Sequence, residues 1–210
     1  VDFGGGNPTG DYHAATVIDC QTGQLVALAH TRDFTTRDFG HLSVKLARFF
    51  QDAFLVPEAN NQGIAGIEAI QDDGYPNYYT REVIDNIDKK PMGKMGFWTD
   101  KKSKPTAVAF MVELLTTMTW KVCDAVMHGE MYHYTWLRQN LEGNHGVGAA
   151  DKNAHDDTMS ALFLSATGYR VLGYWIPEDV DDSHGGIVPE LPRGPTVEEV
   201  FLEDALPTPV

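Results

Sequence analysis

The chain changes its hydrophobic period again and again, and that alternation limits its fold more than any other feature. Residues 14–19 and 24–30 are short apolar runs joined by the turn Gln21-Thr22-Gly23, the pattern of a β-hairpin. Residues 39–50 switch to helical spacing, with Leu42, Leu46, Phe49 and Phe50 as the apolar face. A short strand is expected at 53–57, then a helix at 61–70 entered through Asn60-Asn61. Residues 71–104 mix glycine, proline, asparagine, aromatics and lysines, which suits hairpins and loops. Pro105 fits the first turn of a helix that runs to Met118, because its missing N–H would have no partner there anyway. Val108, Met111, Val112 and Leu115 form its inward face. A strand at 120–123, a helix at 125–137, a Gly-rich loop at 143–150 and a helix at 157–166 follow. The last helix carries Met159, Leu162, Phe163 and Ala166 on one face, and residues 169–176 read as one more strand. Strands and helices in this order predict an α/β or α+β fold, a mixed sheet flanked by helices.

A length of 210 residues fits one domain, taken as residues 1–176, followed by an acidic, Pro-rich tail at 177–210. No apolar run reaches the roughly 18 residues of a membrane span, so no membrane partner is expected. The first residues lack the basic-then-apolar pattern of a signal segment and do not begin with Met, which reads as a domain of a longer protein. Cys20 and Cys123 have no metal-like spacing, and a reduced intracellular setting is the plain reading. The net charge of −14 argues against a general nucleic-acid coat, because phosphate binding needs positive charge. The charge is uneven, however. Residues 178–210 set nine acids against Arg193, so the tail supplies more than half of the excess. Lys89, Lys90, Lys94, Lys101, Lys102 and Lys104 crowd into one stretch, either a local basic surface or a solvated lysine-rich loop.

Acidic residues stand at three distant stations: Asp2, Glu58 and the pair Asp156-Asp157. Each has an ordinary structural use. Asp2 suits an Asx-turn, Glu58 the positive end of a helix, and the pair a doubled N-cap. Together they suit different chemistry. Carboxylates that converge from separate elements hold two divalent cations and drive phosphodiester hydrolysis. Two adjacent aspartates repel one another, and a divalent cation relieves that repulsion. Asp11, where the chain re-enters the hairpin, is an auxiliary acid or a turn residue. Gly5 and Gly10 have the outer spacing of a phosphate loop, but Asp11-Tyr12 stands where Lys and Ser/Thr belong, which excludes an ATP site there. The segment His128-Gly129-Glu130-Met131-Tyr132-His133 is not a zinc-protease motif, and no serine sits in a Gly-x-Ser-x-Gly elbow.

Over residues 1–166 the motifs fall in a family's order. The Asp2 strand comes first, then Gly10-Asp11-Tyr12 with Ala14, then Val56-Pro57-Glu58-Ala59-Asn60-Asn61-Gln62-Gly63. Gly96-Phe97-Trp98-Thr99 with Lys104-Pro105, Glu130, Gly148 and finally His155-Asp156-Asp157 with Ala161 complete the set. In this the chain resembles the C-terminal nuclease domain of a tailed-phage large terminase subunit, the DNA-packaging motor. The resemblance implies a ribonuclease H-like fold and a metal-dependent endonuclease that cuts concatemeric DNA during genome packaging. By position it implies Asp2, Glu58 and Asp156 as catalytic metal-binding acids, with Asp157 and Asp11 beside them. It leaves open which of Asp156 and Asp157 touches metal directly. Mg²⁺ or Mn²⁺ is the implied cofactor, in a two-metal site. Lys101, Lys102 and Lys104 would hold the DNA backbone. The implied partners are double-stranded DNA, an ATPase domain of the same full-length protein, the portal and the small terminase subunit, in the host cell cytoplasm. Two rival readings are another ribonuclease H-like nuclease, such as a resolvase or transposase core, and a non-catalytic metal-binding assembly domain. The absence of an Asp-x-Asp-x-Asp-Gly loop weighs against a calcium-binding version of the second.

Overall fold

The structure is a computed structural model that describes residues 1–5, 10–60, 62–84, 89–137, 146–149 and 155–174. The tail expected at 177–210 lies outside the described residues. β1 (His13–Asp19) and β2 (Gln24–Thr31) form the expected antiparallel hairpin, turned through Gly23 at φ +67°. Residues 1–3 lie antiparallel beside β1, with Asp2 and Ala14 exchanging backbone hydrogen bonds of 2.7 and 3.0 Å. On the other side the Val1 nitrogen donates to the Val56 carbonyl, and the Glu58 N–H donates to the Val1 carbonyl, each at 2.9 Å. That slanted pattern belongs to a parallel pair. Leu55 and Glu58 then bridge in parallel to Tyr78 and Phe97, and at the opposite edge Lys121 bridges in parallel to Gln24. The hydrogen bonds therefore run from Lys121 through β2, β1, residues 1–3 and residues 55–58 to Tyr78 and Phe97. The result is a mixed α/β arrangement, antiparallel through β2, β1 and residues 1–3 and parallel toward both edges.

The strands expected at 53–57 and 120–123 contribute only isolated bridges. Pro57 has no N–H for a longer ladder, and Asp124 already caps the next helix. α1 (Thr36–Phe49) starts at Thr35, whose side chain accepts from the Asp38 N–H. It packs against α2 (Gly63–Asp72) so closely that a Cβ on Gly40 would collide with the Gly66 carbonyl oxygen. This contact turns α1 away from its expected orientation. The buried face is Phe39, Gly40, Ser43, Val44 and Ala47, Leu42 and Leu46 are only partly buried, and Phe49 is 80% exposed.

β3 (Thr80–Ile84) and β4 (Pro91–Met95) make an antiparallel hairpin within the stretch expected to hold hairpins and loops. α3 (Ser103–Thr116) buries Ala107, Val108, Phe110, Met111 and Leu114, whereas Val112 faces outward. The helix expected at 125–137 stops early. α4 (Ala125–His133) gives way to β5 (Tyr134–Leu137), which pairs antiparallel with β6 (Gly146–Ala149), inside the expected Gly-rich loop. Tyr134-Thr135-Trp136 are strand-favouring residue types, and the pairing outweighs helical continuation. α5 (Asp157–Val171) runs five residues past its expected end and absorbs the start of the strand expected at 169–176.

α5 is buried on nearly every side, from Asp157 through Leu164 and again at Ala166, Gly168 and Tyr169. Such a helix belongs in the interior, and it ties the layers together. Thr16 on β1 donates to the Ala161 carbonyl at 3.0 Å, while Leu162, Phe163 and Ala166 share a core cluster with Met111, Leu114, Trp120 and Met127. A second cluster joins Phe3, Phe39, Val44, Ile70 and Tyr75 under α1 and α2. Among the described residues no helix is long and apolar enough to cross a membrane.

Candidate metal centre

The first acid is fixed by backbone. Asp2 sits in the central residues 1–3, hydrogen-bonded to a neighbour on each side, and its side chain is buried at 8% exposure. Burial pushes its carboxyl well above the usual carboxylate range. The Glu58 charge, a side-chain hydrogen bond with Glu58 and the Asp157 charge raise it further. The two carboxyls of the first two stations are therefore in direct contact.

Glu58 is held twice. Its backbone pairs with Val1 and Phe97. Its side chain accepts from Asn60 Nδ2 at 2.9 Å, and Asn60 Oδ1 in turn accepts from the Thr99 N–H at 3.3 Å. Asn60, expected to open a helix, instead orients an acid. The following glycine matters for the same reason, because a Cβ on Gly63 would collide with the Glu58 carbonyl oxygen.

The third station is built by side chains. Asp156 occupies the N-cap position of α5 but makes no capping hydrogen bond. Its Oδ2 lies 3.5 Å from Lys104 Nζ, and both side chains are partly exposed. The cap comes from Glu130 on α4. Glu130 Oε2 accepts from the Thr158 N–H at 2.8 Å, the Thr158 hydroxyl at 2.6 Å and the Met159 N–H at 3.4 Å. With the helix end already satisfied, capping does not account for the two aspartates.

Asp157 points inward and is 6% exposed. It accepts one bond from the Tyr12 backbone, yet its Oδ2 is buried with no hydrogen-bond partner. Burial drives its carboxyl up to about 7, opposed by the Tyr12 bond and reinforced by the charges of Asp11, Glu130 and Asp156. Asp11 is exposed and acts on this group as a charge at the rim. Tyr134, at the α4–β5 junction, buries its hydroxyl without a partner. Its pKa is raised by that burial and by the charges of Asp156 and Asp2.

Around Asp157 stands a shell of rings. Arg32 lies 3.7 Å over the Tyr12 ring, Tyr12 stacks on His30 at 4.1 Å, and Tyr12 meets His155 edge-on. Arg32 Nη2 is 3.1 Å from His155 Nε2. A guanidinium only donates, so Nε2 accepts and the His155 proton sits on Nδ1, which is 3.6 Å from Asp157 Oδ2.

Asp2, Glu58 and Asp157 thus share one electrostatic cluster, with Asp156 and Tyr134 at its edge and Asp11 at the rim. Of the three lysines expected to hold DNA, Lys101 and Lys102 are exposed at the start of α3, whereas Lys104 is engaged with Asp156. His30 was missed in the sequence. It ends an apolar strand with no partner at metal-like spacing, and only the fold brings it to Glu130. The capping role of Glu130 was missed for the same reason, since its partner is 28 residues away.

A buried group of carboxyls, one with an orphaned oxygen, fits a divalent cation, which binds carboxylate oxygen readily. No protein-family model matches the sequence, and no curated protein matches it. Solved structures do. The large terminase nuclease of the thermophilic phage G20c, in crystals with bound cobalt and with bound magnesium, superposes with a TM-score of 0.59. Identity is 18%, covering 77% of this chain and 82% of that one. The chain has the fold of a large terminase nuclease. The nuclease domain of the Thermus phage P74-26 large terminase gives a TM-score of 0.54 at 18% identity, covering 78% of this chain and 82% of that one. The large terminase nuclease fold accounts for the ribonuclease H-like mixed sheet expected from the motifs.

Proposed function

We propose that the chain is a divalent-metal-dependent DNA endonuclease, the nuclease part of a phage packaging motor. The observation that carries this reading is the contact between Asp2 and Glu58 beside the buried, unpartnered oxygen of Asp157. The shared fold with terminase nucleases crystallised with cobalt and magnesium supports it.

In this reading Asp2, Glu58 and Asp156 are the catalytic acids, with Asp157 and Asp11 completing the acidic set. Mg²⁺ or Mn²⁺, when bound in a two-metal site, supplies an activated water and neutralises charge on the leaving oxygen. The residues of the chain provide the frame. The backbone pairing of residues 1–3 fixes Asp2, Asn60 aims Glu58, and the Glu130 cap sets where α5 begins and so where Asp156 and Asp157 project. Lys104 balances Asp156, while Lys101 and Lys102 at the exposed start of α3 hold the phosphate backbone of double-stranded DNA. The substrate is concatemeric viral DNA, cut as packaging starts and ends in the host cytoplasm. An ATPase domain of the same full-length protein moves the DNA, and the portal and small terminase subunit complete the assembly.

The test is incubation of supercoiled plasmid with the chain and Mg²⁺ or Mn²⁺. Nicked and linear products that vanish with EDTA and with Asp2→Asn are expected. Cutting that survives either treatment contradicts the proposal.

A further inference from the structure

Two buried polar atoms near α5 have no partner within hydrogen-bond distance, although His155 Nδ1 stands 3.6 Å from the first of them. They are Asp157 Oδ2 and His30 Nε2. Glu130 is the third wall. Its Oε2 is committed to the helix cap, and its Oε1 lies 3.8 Å from His30 Nε2. One ligand atom from each of His30, Glu130 and Asp157 falls within 4.8 Å of the other two. Leaving a buried polar group unpartnered is costly, and a cation held between these side chains would partner both atoms. The side chains come from separate elements: His30 from β2, Glu130 from α4 and Asp157 from α5. Each is braced by its neighbours. His30 is stacked on Tyr12, Glu130 is held by α5, and Asp157 is held by the Tyr12 N–H. Preorganisation of this kind is what a first coordination shell requires.

We infer that His30, Glu130 and Asp157 form a divalent-cation position of their own, beside the Asp2–Glu58 pair, with an imidazole nitrogen among its ligands. This rests on the reading of the chain as a metal-dependent nuclease and refines it. Asp157 stands between the two halves, since it also acts on Asp2. The donor set decides the metal class. Carboxylates alone suit Mg²⁺, whereas imidazole suits transition ions, so this position favours Mn²⁺ over Mg²⁺.

Pulsed electron paramagnetic resonance of the full chain loaded with Mn²⁺ reads the ligand directly. Coupling to a histidine nitrogen is expected in the unchanged protein, and its pattern should alter when the histidines carry ¹⁵N. His30→Gln should abolish the coupling and weaken Mn²⁺ binding about 10-fold or more, with a smaller change for Mg²⁺. His155→Gln, which removes the other imidazole near Asp157, should keep the coupling. No nitrogen coupling in the unchanged protein, or coupling that survives His30→Gln and disappears with His155→Gln, overturns the inference. Plasmid cleavage measured on the same samples separates the two ideas. Cutting without nitrogen coupling removes the His30 position and leaves the nuclease reading standing. Coupling without cutting does the reverse.

Discussion

The two halves of the acidic cluster are built differently. Asp2 and Glu58 belong to the sheet, where backbone hydrogen bonds on both sides decide where each side chain projects. Asp156 and Asp157 begin a helix whose start is set by Glu130, a side chain from another helix. The sheet half is local in its logic: a strand carries an acid, and Asn60 and Gly63 follow to aim it. The helix half depends on a buried carboxylate accepting three hydrogen bonds across 28 residues of chain. Damage to the sheet half should therefore cost activity first, and damage to the helix half should cost stability as well.

The largest expected effect is on cleavage. Asp2→Asn and Asp157→Asn should each reduce plasmid cutting by about 100-fold or more, since each removes a central carboxylate of the cluster. Circular dichroism should report an intact fold in both. Asn60→Ala comes next. It leaves every carboxylate in place but frees Glu58, and a loss of about 10-fold or more in activity or metal affinity is expected. Full activity in that variant would show that Glu58 needs no aiming.

Glu130→Ala should read out in urea denaturation, with a loss of about 1–3 kcal/mol as the Thr158 and Met159 donors lose their acceptor. Asp156→Ala at the N-cap position should cost little, because Asp156 makes no capping bond. Equal losses would erase the distinction between the two acids. The pH response is a finer test. The folded Asp157 carboxyl titrates at about 7 against an ordinary value of 3.8. A raised carboxyl stabilises the folded state at low pH, and that contribution is lost as pH rises through about 7. Thermal melts of the metal-free protein should show stability falling from pH 4 to 7, with a shallower fall in Asp157→Asn. The smallest effect belongs to Lys104→Met. The Lys104–Asp156 pair is partly exposed, so a stability change under about 1 kcal/mol is expected in the same melts.

Much of this was legible in the chain. The β1–β2 hairpin, the acids at 2, 58 and 156–157 and the helix after them follow from period, turn residues and charge. The failures have physical causes. The face of α1 was misassigned because Gly40 against Gly66 brings two backbones together, and apolar spacing does not report close approach. The α4–β5 break was missed because the strand partner that favours it, β6, lies in a stretch whose glycines suggested a loop. The end of α5 was misjudged because a helix buried on all sides carries no amphipathic stripe to mark its length. At the site, Asp156 and Asp157 looked alike, since adjacent residues share every sequence cue. Only the fold turns one toward Lys104 and the other toward Asp2 and Glu130.

In the proposed site the acids of both halves converge on bound cations. Anomalous diffraction from crystals of the chain soaked in Mn²⁺ tests it most directly. A manganese peak coordinated by Asp157 together with Asp2 is expected, so that one cation bridges the sheet half and the helix half. Manganese bound elsewhere, with neither carboxylate among its ligands, would contradict it.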